Sequence, residues 1–123
     1  MPKKILLVDD SITTRMTSRI IISKRTGHDV VCAANGSEAL KLVGSERPDL
    51  VLMDVMMPGM DGLEVCRRLR RELSTAKLPI VLLTFRVDND SVVAGFDSGC
   101  TAYLKKPVIE TELLGTLQQY LGD

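Results

Sequence analysis

Residues 5–8 (ILLV), 29–34 (DVVCAA), 50–55 (LVLMDV), 80–85 (IVLLTF) and 102–106 (AYLKK) are five short, largely apolar runs. Each is followed by a segment with helical patterning, at 12–25, 37–44, 63–73, 88–98 and 110–121. Runs of this length are strands, and apolar residues at consecutive positions mean strands covered on both faces. A strand followed by a helix, five times over, implies right-handed crossovers and hence a parallel sheet with helices on both sides. The chain therefore reads as an α/β doubly wound protein, and its 123 residues suffice for one domain, 1–123, with no linker or repeat.

The helical segments carry recognisable signals. The first places Ile12, Met16, Ile20 and Ile21 at helical spacing with Arg15, Arg19 and Lys24 on other faces. Ser11 or Asp10 is positioned to cap it, and Gly27 to end it. Asn35-Gly36 turns the chain into the second, with Ala39, Leu40, Leu42 and Val43 behind Ser37. In the third, Leu63, Cys66, Leu69 and Leu73 form a stripe, while Arg67, Arg68, Arg70 and Arg71 read as a solvated basic face. The fourth holds Asp, Asn, two Val and Gly95 before Gly99, which predicts a short, easily displaced helix. The last has Leu113, Leu114, Leu117, Tyr120 and Leu121 on one face.

Composition removes several function classes. Sixteen basic and 16 acidic residues give a net charge of zero, and two Phe, two Tyr and no Trp leave no basic-aromatic surface, so direct nucleic-acid binding is not expected. Cys32, Cys66 and Cys100 are odd in number, widely spaced and accompanied only by His28, which predicts small core residues in a reducing compartment rather than disulfides or a zinc site. Lys3 and Lys4 lead straight into a short strand, and no apolar run approaches the length of a membrane span, so a soluble cytoplasmic protein is expected.

The polar exceptions in these strands fall in one place. Asp9 and Asp10 follow the first strand, Asp54 lies near the end of the third, Thr84 near the end of the fourth and Lys106 at the end of the fifth. In an open parallel sheet the C-terminal strand ends line a single rim, where ligands bind. Three carboxylates brought together there would repel one another unless a divalent cation sat among them. With no His or Cys in reach, an oxygen-only site suits Mg²⁺. A cation, Lys106 and the Thr84 hydroxyl would cradle a phosphoryl group, and phosphoryl transfer needs little beyond positioning and neutralised oxygens. Asp54, central on the rim, is then the natural nucleophile, forming an acyl phosphate.

With VDDS at 8–11, LMDVMMPGMDG at 52–62, LLTF at 82–85 and YLKKP at 103–107, the chain resembles a response-regulator receiver domain of two-component signalling. The resemblance runs from Lys3 to about Leu121. It implies a flavodoxin-like (βα)₅ sheet in the order 2-1-3-4-5. It also implies that Asp54 accepts a phosphoryl group from a histidine kinase or phosphotransfer protein. Asp9, Asp10, Asp54 and the Met56 carbonyl would hold Mg²⁺, and Lys106 would pair with the phosphoryl oxygens. Thr84 and Tyr103 would act as a switch that remodels the face of the fourth helix, fifth strand and fifth helix, where downstream partners dock. Such a domain is a phosphoacceptor switch that assists its own phosphorylation and dephosphorylation, not a turnover enzyme. Met57, Pro58 and Gly59 form only the turn.

Two positions depart from the family pattern. Phe85 replaces a residue that is usually small and leaves the site accessible, and Arg86 stands where family members tune phosphoryl lifetime. Both are expected to alter dephosphorylation kinetics. A phosphorylation-independent interaction module, with Phe85 shielding an idle site, is the nearest alternative. A Mg²⁺-dependent phosphatase lacks a general acid near the rim, since His28 falls before the second strand, and a nucleotide carrier lacks a Gly-rich phosphate loop. A stand-alone receiver and a receiver within a longer chain both fit this sequence.

Overall fold

The structure is a computed structural model that describes residues 2–122. Strands β1 (Lys4–Val8), β2 (Asp29–Ala33), β3 (Leu50–Asp54), β4 (Ile80–Thr84) and β5 (Ala102–Lys105) form one sheet in the order β2-β1-β3-β4-β5. All four pairings are parallel. Between them run α1 (Ile12–Arg25), α2 (Gly36–Glu46), α3 (Gly62–Arg71) and α4 (Asn89–Asp97), and α5 (Glu110–Leu121) closes the chain. The alternation of elements predicts the parallel sheet covered on both faces, and the strand order is the flavodoxin-like one that the resemblance implies.

The core has two halves because successive side chains of a strand point to opposite faces. Leu6, Val8, Val51, Met53, Ile80 and Leu82 pack on one face against Ala39 and Val43 of α2 and Val65, Cys66 and Leu69 of α3. Ile5, Leu7, Leu50, Leu52, Val81 and Leu83 pack on the other against Ile22 of α1 and Leu113 and Leu117 of α5. Each such Leu, Ile or Val contributes about 1.5–3 kcal/mol on leaving water. Covering both faces is what makes the central strands apolar at every position.

Every strand from β2 to β5 stops one residue before the apolar pattern suggests, at Ala33, Asp54, Thr84 and Lys105. Asp54 and Thr84 are therefore terminal residues of their strands, and Lys106 is the first residue beyond β5.

Three expectations about helix faces are corrected. In α1 the row Ile12, Met16, Ile20 faces solvent, at 64%, 56% and 51% exposure, and the sheet is met by Ser18 and Ile22 with Ile21 beside them. Helical spacing defines rows on a cylinder, but the seating of α1 against β2 and α5 decides which row is buried. The α3 helix ends at Arg71, because Glu72 is extended, and Leu73 opens a single 3-10 turn, 97% exposed instead of continuing the stripe. Arg70 is half-buried rather than solvated: it donates to the carbonyls of Gly99 (2.7 Å) and Thr75 (2.9 Å) and to Thr101 Oγ1 (3.1 Å). Its planar fork of donors ties the end of α3 to the approach to β5.

The remaining assignments need little adjustment. α2 runs two residues past Gly44 and is capped by Asn35, whose side chain accepts from the Glu38 N–H. Short α4 is capped by Asp88. His28 Nδ1 accepts the Lys3 N–H (3.0 Å) at the N-terminal end of the sheet, away from the acidic rim. Cys66 and Cys100 are buried, Cys32 is partly so, and all three are free thiols. Burial pushes the Cys100 thiol up to about 11, which keeps it protonated and unreactive. Among the described residues no helix is long and apolar enough to cross a membrane.

The turn after β3 is held by Gly62, whose N–H donates to the Val55 carbonyl (2.9 Å). A Cβ on Gly62 would collide with the Asp54 carbonyl and come within 3.0 Å of Val55 Cα, backbone atoms that cannot yield without moving the rim. Gly62→Ala is expected to destabilise the fold by at least about 2 kcal/mol in urea denaturation. Gly44→Ala, on the exposed side of α2 with open space around it, is expected to stabilise it by about 0.5–1 kcal/mol.

Candidate functional site

The order of strands reverses between β1 and β3, and the polar strand ends meet at that point. Asp9 is fully buried and held on every side. Its N–H donates to the Ala33 carbonyl (3.1 Å), Oδ1 accepts the Ser11 N–H (2.8 Å), and Oδ2 accepts from Lys106 Nζ (2.9 Å). Asp54 is 6% exposed, with Oδ1 accepting the Met56 N–H (3.2 Å) and Oδ2 3.2 Å from Lys106 Nζ. Lys106, only 4% exposed, reaches both carboxylates because its own N–H donates to the Thr84 carbonyl (2.7 Å), which extends the β4–β5 pairing past the end of the strand. Asp10 is exposed at the mouth. One carboxylate oxygen from each of Asp9, Asp10 and Asp54 lies within 4.8 Å of the others.

Charge is unbalanced here. Two buried carboxylates and an exposed third face a single buried ammonium. Burial is the largest cause raising the Asp54 pKa above its ordinary value, Asp9 adds repulsion, and the Lys106 ammonium pulls the other way. The surplus negative charge, the short spacing and an all-oxygen donor set fit a hard divalent cation of the Mg²⁺ kind.

The other residues singled out in the sequence lie around this centre, but not all within it. The buried Thr84 hydroxyl accepts the Arg86 N–H (3.1 Å). Tyr103, half-buried on β5, donates its hydroxyl to the Arg86 carbonyl (2.7 Å). Its ring lies against α4, where a Cβ on Gly95 would come within 2.7 Å of it, and 6.4 Å from the Phe96 ring. Phe85 is 69% exposed at the mouth, its ring centroid 5.8 Å from Lys106 Nζ. The Arg86 guanidinium is outside the carboxylate cluster, with Nε 3.6 Å from Asp88 Oδ1. Met56 is exposed beside Asp54.

The choice between Ser11 and Asp10 as cap of α1 falls to Ser11, whose hydroxyl accepts the Thr14 N–H (3.4 Å). One participant escaped sequence reasoning. Arg15, assigned only to a face of α1 away from the apolar row, donates Nη1 to the main-chain carbonyl of Asp9 (2.6 Å). Its signal was position: residue 15 lies one helical turn beyond the cap, directly over the loop that carries the acidic pair.

A family model of the response regulator receiver domain matches residues 5–118. The transcriptional regulatory protein AfsQ1 of Streptomyces coelicolor is 48% identical over 104 residues, covering 85% of this chain and 44% of that protein. The chain spans about half the length of the curated relatives it matches. Among solved structures, the chemotaxis protein CheY4 of Vibrio cholerae superposes with a TM-score of 0.92 at 35% identity, over 98% of this chain and all of that one. The receiver domain of the sensor histidine kinase PA1611 from Pseudomonas aeruginosa matches over the full length of both chains, with a TM-score of 0.91 at 28% identity. That structure has a magnesium ion coordinated in its active-site cleft.

The raised pKa of Asp54 has a sign that can be measured. The folded state holds the Asp54 proton to higher pH than the unfolded chain does, so this group's contribution to stability falls as pH rises from the ordinary carboxylate range, about 4, through the raised value. In EDTA, Asp54→Asn is expected to raise Tm by several degrees at neutral pH, with the gain shrinking as pH falls below that range. A lower Tm at neutral pH would mean that attraction to Lys106 outweighs burial.

Proposed function

The chain belongs to the response regulator receiver domain family, and on that premise we propose that it is a phosphorylation-dependent switch with Asp54 as phosphoacceptor. The observation that carries this reading is the placement of Asp54 Oδ2 3.2 Å from the buried Lys106 ammonium, with Asp9 and Asp10 oxygens within 4.8 Å. A carboxylate beside a fixed cation and an acidic cluster able to hold a divalent ion has the parts that in-line phosphoryl transfer needs.

In the proposed reaction a carboxylate oxygen of Asp54 attacks phosphorus. The P–O bond forms as the P–N bond to a phosphohistidine of the donor breaks, and the freed imidazole regains its proton from solvent. Mg²⁺, when held by Asp9, Asp10, Asp54 and the Met56 carbonyl, supplies charge neutralisation on the transferring oxygens. Lys106 holds its ammonium against the acceptor and, once the phosphoryl group is in place, against the added oxygens. The Thr84 hydroxyl, which now accepts from Arg86, would turn to donate to a phosphoryl oxygen. Tyr103 would then leave the Arg86 carbonyl and swing inward. That movement would alter the face of α4, β5 and α5 presented to a downstream protein. Water attack on the acyl phosphate would release inorganic phosphate and reset the switch.

The donor is a sensor histidine kinase or phosphotransfer protein, the setting is cytoplasmic, and residues 1–123 form one receiver domain. Supporting an output through protein docking rather than nucleic-acid contact are the zero net charge and the shortage of aromatic residues.

Intact mass after incubation with Mg²⁺ and acetyl phosphate tests the reading. One added phosphoryl group is expected, absent in Asp54→Ala and in EDTA. If none is added to the wild type or to Phe85→Ala, and none by a histidine kinase donor, the idle interaction module is the better reading. Phe85→Ala is expected to speed loading, because the ring stands at the mouth. Phe85→Ala and Arg86→Ala are both expected to change the phosphoryl half-life severalfold, and unchanged half-lives would remove both residues from the account.

A further inference from the structure

Asp9 and Asp10 are joined by one peptide unit, and a peptide unit is planar. Its carbonyl oxygen, its N–H and the two flanking Cα atoms therefore move as one body. Holding the Asp9 carbonyl oxygen therefore restrains ψ of Asp9 and φ of Asp10, and with them the directions in which the two aspartates leave the main chain. The Asp9 N–H still meets the Ala33 carbonyl of β2 (3.1 Å), but this unit itself lies beyond the last residue of β1, past the pairing with β3 that ends at Val8 and Met53. The hydrogen bond that reaches the Asp9 oxygen comes from the side chain of Arg15, at 2.6 Å. The Arg15 main-chain N–H meanwhile donates to the Ser11 carbonyl (3.0 Å) as the first bond of α1. Arg15 thus clasps the loop from inside the helix that follows it.

The placement is costly unless it serves the loop. A cation in the opening turns of a helix opposes the helix dipole, and α1 has no acidic residue in its own first turn to offset it. Arg15 is also half-buried, so its stem and head are committed to one arrangement.

We infer that Arg15 is a positioning residue for the divalent cation site, acting through the Asp9–Asp10 peptide to hold the two carboxylates at the separation and orientation the ion requires. This rests on the reading of Asp9, Asp10 and Asp54 as a Mg²⁺ site. Residues that orient metal ligands through hydrogen bonds typically change affinity by about 10–100-fold when removed, and a loss in that range is expected here. The sign separates positioning from bare electrostatics: deleting a positive charge beside three carboxylates would, by Coulomb's law alone, tighten cation binding.

The test is Mg²⁺ titration of the full chain, followed by the shift in thermal unfolding, on wild type, Arg15→Met, Arg15→Lys and Arg19→Met. Met keeps the apolar stem without the donors, Lys restores one donor and the charge, and Arg19 is an exposed cation on the same helix. Weaker binding in Arg15→Met by about tenfold or more, partial recovery in Arg15→Lys and no weakening in Arg19→Met would support the inference. Unchanged or tighter Mg²⁺ binding in Arg15→Met overturns it, even if the metal-free Tm falls, because Arg15 would then be structural only. No Mg²⁺-dependent shift in the wild type would overturn the cation site itself, and this inference with it.

Discussion

A single buried ammonium organises the rim of this protein. Lys106 Nζ lies 2.9 Å from Asp9 and 3.2 Å from Asp54, and so joins the ends of β1, β3 and β5 across the middle of the sheet. Taking one ion out of water costs several kcal/mol even after relaxation, and the attraction between partners repays this only when geometry is good and other hydrogen bonds complete the shell. Here the shell is complete: Ser11 and Met56 donate main-chain N–H groups to the two carboxylates. Among the described residues no fully buried side-chain nitrogen or oxygen lacks a partner.

The same arrangement leaves negative charge in excess, which a bound divalent cation would offset. Asp54 is held in a state that burial disfavours and a cation can relieve. In the proposed reaction Mg²⁺ would offset that excess, and the charge of Asp54 would move outward onto the oxygens of the added phosphoryl group, beside Lys106 and Thr84. The proposed switching is supported by the link between Thr84 and Tyr103 through the main chain of Arg86, at 3.1 and 2.7 Å.

Rigid support for the site comes from the sheet, whose two covered faces bury the central strands completely. Smaller ties complete it. Arg70 locks α3 to the approach to β5, and Gly62 allows α3 to begin in contact with the backbone of Asp54. Neither residue is part of the chemistry, yet both limit how far the β3 and β5 ends can shift relative to one another.

Most of the fold and most of the site were legible in the amino-acid order, for a definite reason. A parallel strand covered on both faces tolerates polar residues only at its ends, so Asp9, Asp54, Thr84 and Lys106 announced both the strand limits and the shared rim. Residues whose roles depend on distant parts of the chain were not legible in this way. The sequence shows that Ile12, Met16 and Ile20 form a row, but the outward turn of that row was settled by how α1 seats against β2 and α5. Arg70 reads as a solvated cation until folding brings Gly99 and Thr101 to it from 29 and 31 residues away. Local pattern determined the elements and the identity of the rim; only tertiary structure decided which helix rows are buried and which cations are enclosed, because those outcomes depend on contacts that no local period encodes.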